Sequence, residues 1–285
     1  MGVPIPLADV PDARRAHVLH PELVPLDLVS AAWTDVQPQQ PACARACAGL
    51  AHAVYHAEDA ARSWAAGWGW KLRRRIVVGG GRCDLVTRDD LLALVFCGTR
   101  PDEVQNLRHD ADAILTAHPA GGRVHRGFWA AHQQLEGAVD AAIAELAPRR
   151  IIGIGHSLGA ALALLAAHRW PVEAVLAYGC PRLGDRCFAA IEPCPLYRFQ
   201  NGADVVGHLP PQGLGYRHGG TLMYLSPAGL LLANPPSARL RRARFAGSLR
   251  YAVQLPALRA GACWFRDLAD HGIHNYRSKL DRLSD

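Results

Sequence analysis

An uncharged stretch of the chain runs from Ile151 to His168 and changes character midway. Ile151–Ile154 reads as a short buried strand, whereas Leu158–His168 is rich in Ala and Leu and reads as a helix. Gly153, Gly155 and Gly159 interrupt the run, so strand, tight turn and helix describes it better than a membrane span. Upstream, Ala42–Ala66 is a stretch of good helix formers that ends at the Gly and Trp cluster Gly67–Trp70. Arg75–Val78 and Leu91–Cys97 read as strands, the second apolar throughout as in a parallel sheet. Asp102–Thr116 and Phe128–Leu146 read as helices. Beyond the central turn follow a strand at Val172–Tyr178, a short helix near Asp185–Ile191, a strand at Leu196–Gln200 and a last helix over Phe265–Leu283.

Strands alternating with helices imply an α/β fold, a mostly parallel central sheet flanked by helices. The 285 residues, half of them hydrophobic, suffice for one such domain, and no repeat or low-complexity linker divides it. The expected organisation is therefore a single domain over 1–285 with a helical N-terminal part, 1–70. Between Val205 and Arg266 there is no acidic residue, but there are eight arginines: Arg217, Arg239, Arg241, Arg242, Arg244, Arg250, Arg259 and Arg266. With the apolar run Leu230–Ala233 and the pair Pro235–Pro236, the part at 222–263 reads as an irregular basic and apolar insertion before the C-terminal helix. It is expected to be a lid or a membrane-facing region, and too interrupted to span a bilayer.

A formal charge of +6 is mildly basic and does not by itself imply a nucleic-acid partner, which needs clustering with stacking aromatics. The eight cysteines form no Cys-x-x-Cys pair, so a zinc ribbon or thioredoxin-type site is not expected. No metal, P-loop or dinucleotide constellation stands out, and no cofactor is expected. The first residues contain no continuous apolar h-region, and from this a cytoplasmic location, peripheral to membrane at most, is expected.

Gly155-His156-Ser157-Leu158-Gly159 matches G-x-S-x-G on the expected strand-to-helix turn. Such an elbow holds a serine hydroxyl above the sheet in a strained backbone position, and the glycines let neighbouring chains approach. A serine needs a base to take its proton, and a histidine base needs a carboxylate to orient it. In α/β-hydrolases the order along the chain is Ser, then Asp or Glu, then His. Downstream of Ser157 the carboxylate candidates are Asp204, just after a strand, and Asp185, Asp267 and Asp270. The histidine candidates are His168, His208, His218, His271 and His274.

Six motifs, in order, carry a resemblance through most of the chain from Leu91 to Leu280. They are Leu94-Val-Phe-Cys-Gly-Thr99, Val124-His-Arg-Gly-Phe128, Gly155-His-Ser-Leu-Gly159, Tyr178-Gly-Cys-Pro-Arg-Leu-Gly-Asp185, Asn201-Gly-Ala-Asp-Val-Val-Gly-His-Leu-Pro-Pro211 and Asp270-His-Gly-Ile-His-Asn-Tyr276. Together they resemble the class 3 lipase family of α/β-hydrolases, related to the triacylglycerol lipases of filamentous fungi. The resemblance implies an α/β-hydrolase fold and a triad of Ser157, Asp204 and His271, with His274 the alternative base. It implies an oxyanion hole from the N–H of Leu158 and from Thr99. Cys97 stands where the family often has Arg, Ala160 replaces a usual second Gly, and the segment after Thr99 lacks the bulky aromatic of a fungal lid.

The expected function is cleavage of carboxylic esters through an acyl-enzyme, on acylglycerols foremost. A carboxylesterase for short soluble esters and a non-catalytic hydrolase-fold protein that binds a membrane or partner are the competing readings. Expected partners are a lipid or ester substrate and a membrane or lipid interface, with no nucleic acid.

Overall fold

The computed structural model describes residues 40–99, 113–227, 229–243, 245 and 270–283. The Ala-rich segment forms two helices, α1 (Pro41–Ala53) and α2 (Glu58–Gly67). Strands β1 (Lys71–Val78), β2 (Gly81–Arg88) and β3 (Leu91–Phe96) follow, and β4 (Leu115–Ala117) pairs with β5 (Arg123–His125) in a small separate sheet. Next come α3 (Arg126–Leu146), β6 (Arg150–His156), α4 (Leu158–Arg169), β7 (Val172–Tyr178), α5 (Arg186–Ala189) and β8 (Leu196–Asn201). Strands β9 (Thr221–Leu225) and β10 (Leu231–Ala233) and helix α6 (Ile273–Leu280) complete the described elements.

The main sheet has eight strands in the order β1-β2-β3-β6-β7-β8-β9-β10. Its centre, β3 through β9, is parallel, and the flanking pairs β1/β2, β2/β3 and β9/β10 are antiparallel. Strand β3 shows why its sequence is apolar without alternation. Leu92, Leu94 and Phe96 pack on the α3 and α4 side, while Ala93 and Val95 pack toward α1 and α6. Both faces are covered, as a parallel sheet requires. Helix α1 is itself buried nearly all round, which its small Ala, Cys and Gly side chains permit.

Four expectations change. Residues 222–233 are not irregular: β9 and β10 extend the sheet, and the remainder of the proposed insertion is helical over 237–243 before leaving the described residues. The strand expected over Arg75–Val78 begins earlier, at Lys71, and is hairpinned to β2. The helix expected over 102–116 lies largely outside the described residues, and Leu115–Ala117 is strand. The last helix begins at Ile273, and the part of its expected range before 270 also lies outside them.

Candidate active site

Strand β6 ends at His156, and α4 starts at Leu158, so a single residue makes the turn between them. That residue is Ser157, with φ 58° and ψ −127°. This conformation is unusual for a residue with a side chain and costs on the order of 1–3 kcal/mol. The packing around it enforces the geometry. A Cβ on Gly155 would lie 2.1 Å from the Gly159 carbonyl oxygen, and one on Gly159 would lie 2.2 Å from that of Phe96. Both glycines are thus the condition for the elbow to close against β3.

Asp204 sits in the loop after β8, fully buried, and His271 lies just before α6. The His271 Nε2 atom is 2.9 Å from Ser157 Oγ, and its Nδ1 is 3.0 Å from both carboxylate oxygens of Asp204. An ionised Asp204 accepts the Nδ1–H, which leaves the Nε2 lone pair to face the serine hydroxyl. Burial by itself would push the Asp204 carboxyl up. The His271 imidazole beside it outweighs that, with hydrogen bonds from His271, the Tyr276 hydroxyl and the Val206 N–H, and holds it below its usual range.

Tyr276 was not singled out from the sequence beyond its place in a motif. Its hydroxyl donates to Asp204 Oδ2 at 2.5 Å and accepts the Asn201 N–H at 3.0 Å. The signal was present in the spacing, since Tyr276 lies one helical turn into α6, on the same segment as His271. Asp270 also serves the carboxylate loop: its side chain accepts the Ala203 N–H at 2.8 Å, and its carbonyl accepts from Asn201 Nδ2 at 2.9 Å. Arg182 braces the other side of that loop, donating to the carbonyls of His208 and Pro210.

The remaining candidates fall elsewhere. His274 is buried beside His52, with ring centroids 6.4 Å apart, and it is His271 that hydrogen-bonds Ser157. Asp185 caps α5 through the Phe188 N–H and pairs with Arg123. His168 packs against His118 and Phe188, His208 meets Gln200, and His218 donates to the Gly207 carbonyl. Asp267 lies outside the described residues.

Leu158 opens α4, where the first N–H groups have no intrahelical partner and the helix dipole favours negative charge. Thr99 follows β3, and its buried hydroxyl has no hydrogen-bond partner among the described residues. At Gly98, the residue before it, a Cβ would lie 3.0 Å from the Ser157 Cβ, so this segment runs directly alongside the serine. Ser157, His271 and Asp204 are therefore joined in one buried hydrogen-bonded chain, with the Gly98–Thr99 segment beside the serine. That combination is chemically competent for acyl transfer.

Residues 93–214 match the family model for lipase (class 3). A secreted mono- and diacylglycerol lipase of Malassezia globosa is 28% identical over 171 residues, covering 52% of this chain and 55% of the relative. A lipase of Rhizomucor miehei is 29% identical over 157 residues, 48% of this chain and 43% of its own length. The chain thus spans about half the length of these curated relatives. Among solved structures, a lipase of Rhizopus microsporus var. chinensis superposes with a TM-score of 0.56 at 21% identity, covering 76% of this chain and 82% of that one. The fold is the α/β-hydrolase fold that fungal lipases share. The cytoplasmic location expected from the sequence is contradicted by the Malassezia relative, which is named as secreted. That expectation rested on the hydropathy of the first residues, a property that does not fix a compartment.

Proposed function

We propose, from the premise that residues 93–214 of this chain belong to the class 3 lipase family, that the protein is a serine hydrolase cleaving acylglycerol esters through an acyl-enzyme. The observation that carries the reading is the buried chain Ser157 Oγ, His271 Nε2, His271 Nδ1, Asp204 carboxylate, joined at 2.9 and 3.0 Å. Ser157 Oγ attacks the ester carbonyl carbon as His271 Nε2 takes its proton. Asp204 stabilises the resulting imidazolium. Negative charge on the carbonyl oxygen meets the N–H of Leu158 and the N–H and hydroxyl of Thr99, donors worth about 3 kcal/mol each when aimed at a tetrahedral intermediate. The intermediate collapses, His271 returns the proton to the departing alcohol, and an acyl-Ser157 remains. Water then attacks with His271 again as base, releasing the carboxylic acid and restoring the hydroxyl.

The chain works as one hydrolase domain in this reading. The β9/β10 extension of the sheet and the packing of α6 on α1 support that. The finer proposal is a peripheral contact with a lipid interface. Leu214, Leu230 and Phe245 are exposed, Phe245 at 75%, and Arg239, Arg241 and Arg242 are exposed on the helical stretch just before it. Apolar side chains can bury shallowly in a headgroup layer while arginines meet anionic lipid. Among the described residues no helix is long and apolar enough to cross a membrane.

Labelling with a fluorophosphonate tests the hydrolase reading, because the reagent phosphonylates no serine that lacks an activating base. The expected result is one phosphonyl adduct, mapped by peptide mass to Ser157 and absent from His271→Ala. A folded protein that stays unlabelled contradicts the reading.

A further inference from the structure

The residue before the serine is fully enclosed and makes two directed bonds. His156 Nε2 lies 2.7 Å from the backbone oxygen of His271, and its Nδ1 lies 2.8 Å from the hydroxyl of Tyr55. A carbonyl can only accept, so Nε2 carries the hydrogen, and in a neutral ring Nδ1 must then accept from Tyr55. The Tyr55 oxygen in turn accepts the Gly98 N–H at 3.1 Å. The direction of every hydrogen is thereby determined: Gly98 N–H to Tyr55, Tyr55 O–H to His156, His156 Nε2–H to the His271 carbonyl.

We propose that Tyr55 and His156 are positioning residues that hold the oxyanion segment Gly98–Thr99 and the backbone of the base His271 in fixed relation to Ser157. The inference rests on the hydrolase reading above. Its force lies in where the two ends attach. One end is the peptide next to the Thr99 donor, the other is the backbone of the base itself, and the middle is the residue bonded to the nucleophile. These three groups come from strands and loops far apart in sequence, and displacements of about 1 Å among them cost on the order of 100-fold in rate.

Two further observations fit the role. Tyr55 lies just past the end of α1, and the carbonyls on either side of it are both captured by the β1/β2 hairpin. Arg82 Nη1 donates to Val54 at 2.9 Å and Arg75 Nη1 to His56 at 2.7 Å. Arg75 is itself fixed by a bidentate pair with Asp84, at 2.7 and 2.6 Å, with both side chains nearly inaccessible. The tyrosine is therefore clamped on both sides. The second observation concerns charge. The His156 ring centroid lies 4.6 Å from that of His271, which must become positive during the reaction. Burial, assisted by the neighbouring His271, holds His156 down at about 3, so at neutral pH it is uncharged and does not oppose the imidazolium.

The test is a double-mutant cycle on kcat and KM for a soluble short-chain ester, using Tyr55→Phe, His156→Phe and the pair, with thermal unfolding measured alongside. Each folded single variant is expected to lose about 10- to 100-fold in kcat with KM nearly unchanged. The double variant loses no more than the worse single one, because the two act in one chain of bonds. His156→Gln, which keeps a donor for the His271 carbonyl, recovers part of the His156→Phe loss. A folded Tyr55→Phe within about twofold of wild-type kcat, or losses that multiply in the double variant, overturns the relay. If Tyr55→Phe does not fold, equal kcat for His156→Phe and His156→Gln overturns it instead. A wild type without ester turnover overturns the hydrolase reading and the relay with it, whereas an active wild type with unaffected variants overturns the relay alone.

Discussion

At Ser157 the backbone holds an unfavourable conformation, and the side chains around it determine what that conformation achieves. The serine hydroxyl meets one nitrogen of His271, and the other nitrogen meets a carboxylate with two further donors of its own. Tyr276→Phe removes one of those donors. Asp204 is depressed in the folded protein, so its ionised form contributes stability above the ordinary carboxylate value of about 4, and that stability is lost as pH falls through the folded value. Without the tyrosine hydroxyl the folded value rises toward the ordinary one, the contribution shrinks, and the variant unfolds at a higher pH than wild type in an acid titration followed by circular dichroism. An unchanged or lower midpoint contradicts this role. The choice of base is tested by comparing two alanine variants. His271→Ala should lose on the order of 10⁴-fold in kcat/KM, while His274→Ala keeps most of its activity. Ser157, Asp204 and His271, which the structure joins by hydrogen bonds, each lie in a short motif with fixed order along the chain, as do Leu158 and Thr99, whose oxyanion role is part of the proposal. Tyr55 was not legible in the sequence, because nothing in an Ala-rich helix end announces that its hydroxyl reaches the loop after β3, 43 positions away.

Among the elements, those buried on both faces were the easiest to read. Strands β3, β6 and β7 are short apolar runs between turn residues, and their expected limits differ from the observed ones by no more than two residues. Strand β2 escaped because Arg82, Asp84 and Arg88 break its apolar pattern. The structure accounts for Asp84 by pairing it with Arg75 on the adjacent strand rather than exposing it. Strands β9 and β10 were hidden inside an acid-free segment whose Pro and Gly content reads as irregular. The Arg75–Asp84 pair makes the hairpin a rigid anchor for the end of α1. Asp84→Ala leaves the guanidinium buried without its partner and should cost about 3–5 kcal/mol in urea unfolding. Replacing both residues by apolar ones of similar size should recover most of that loss, and a single variant as stable as wild type contradicts the anchoring role.

For the whole molecule, acid stability and surface behaviour follow from what is buried and what is not. His132, His156 and His168 are held down to about 4, 3 and 4, in each case chiefly by burial. Unfolding frees them to bind protons near their ordinary value of about 6.5, so stability falls as pH drops from there toward the folded values. Thermal midpoints should therefore decline between about pH 6.5 and pH 4, before most carboxylates titrate. A midpoint that stays flat over that range contradicts the account. The exposed basic stretch makes a separate prediction. Binding to anionic vesicles should weaken with salt and fall when Arg239, Arg241 and Arg242 become Ser, with hydrolysis of soluble esters retained. Co-sedimentation that shows no vesicle binding at low salt contradicts the interfacial contact.

Ser157 as the nucleophile of an ester hydrolase is tested by the hydrolysis of a diacylglycerol emulsion by wild type and by Ser157→Ala, with circular dichroism confirming the fold of each. The wild type should release fatty acid, and a Ser157→Ala protein that is still folded should lose on the order of 10⁴-fold or more in rate. A folded Ser157→Ala protein that retains most of the wild-type rate contradicts that role.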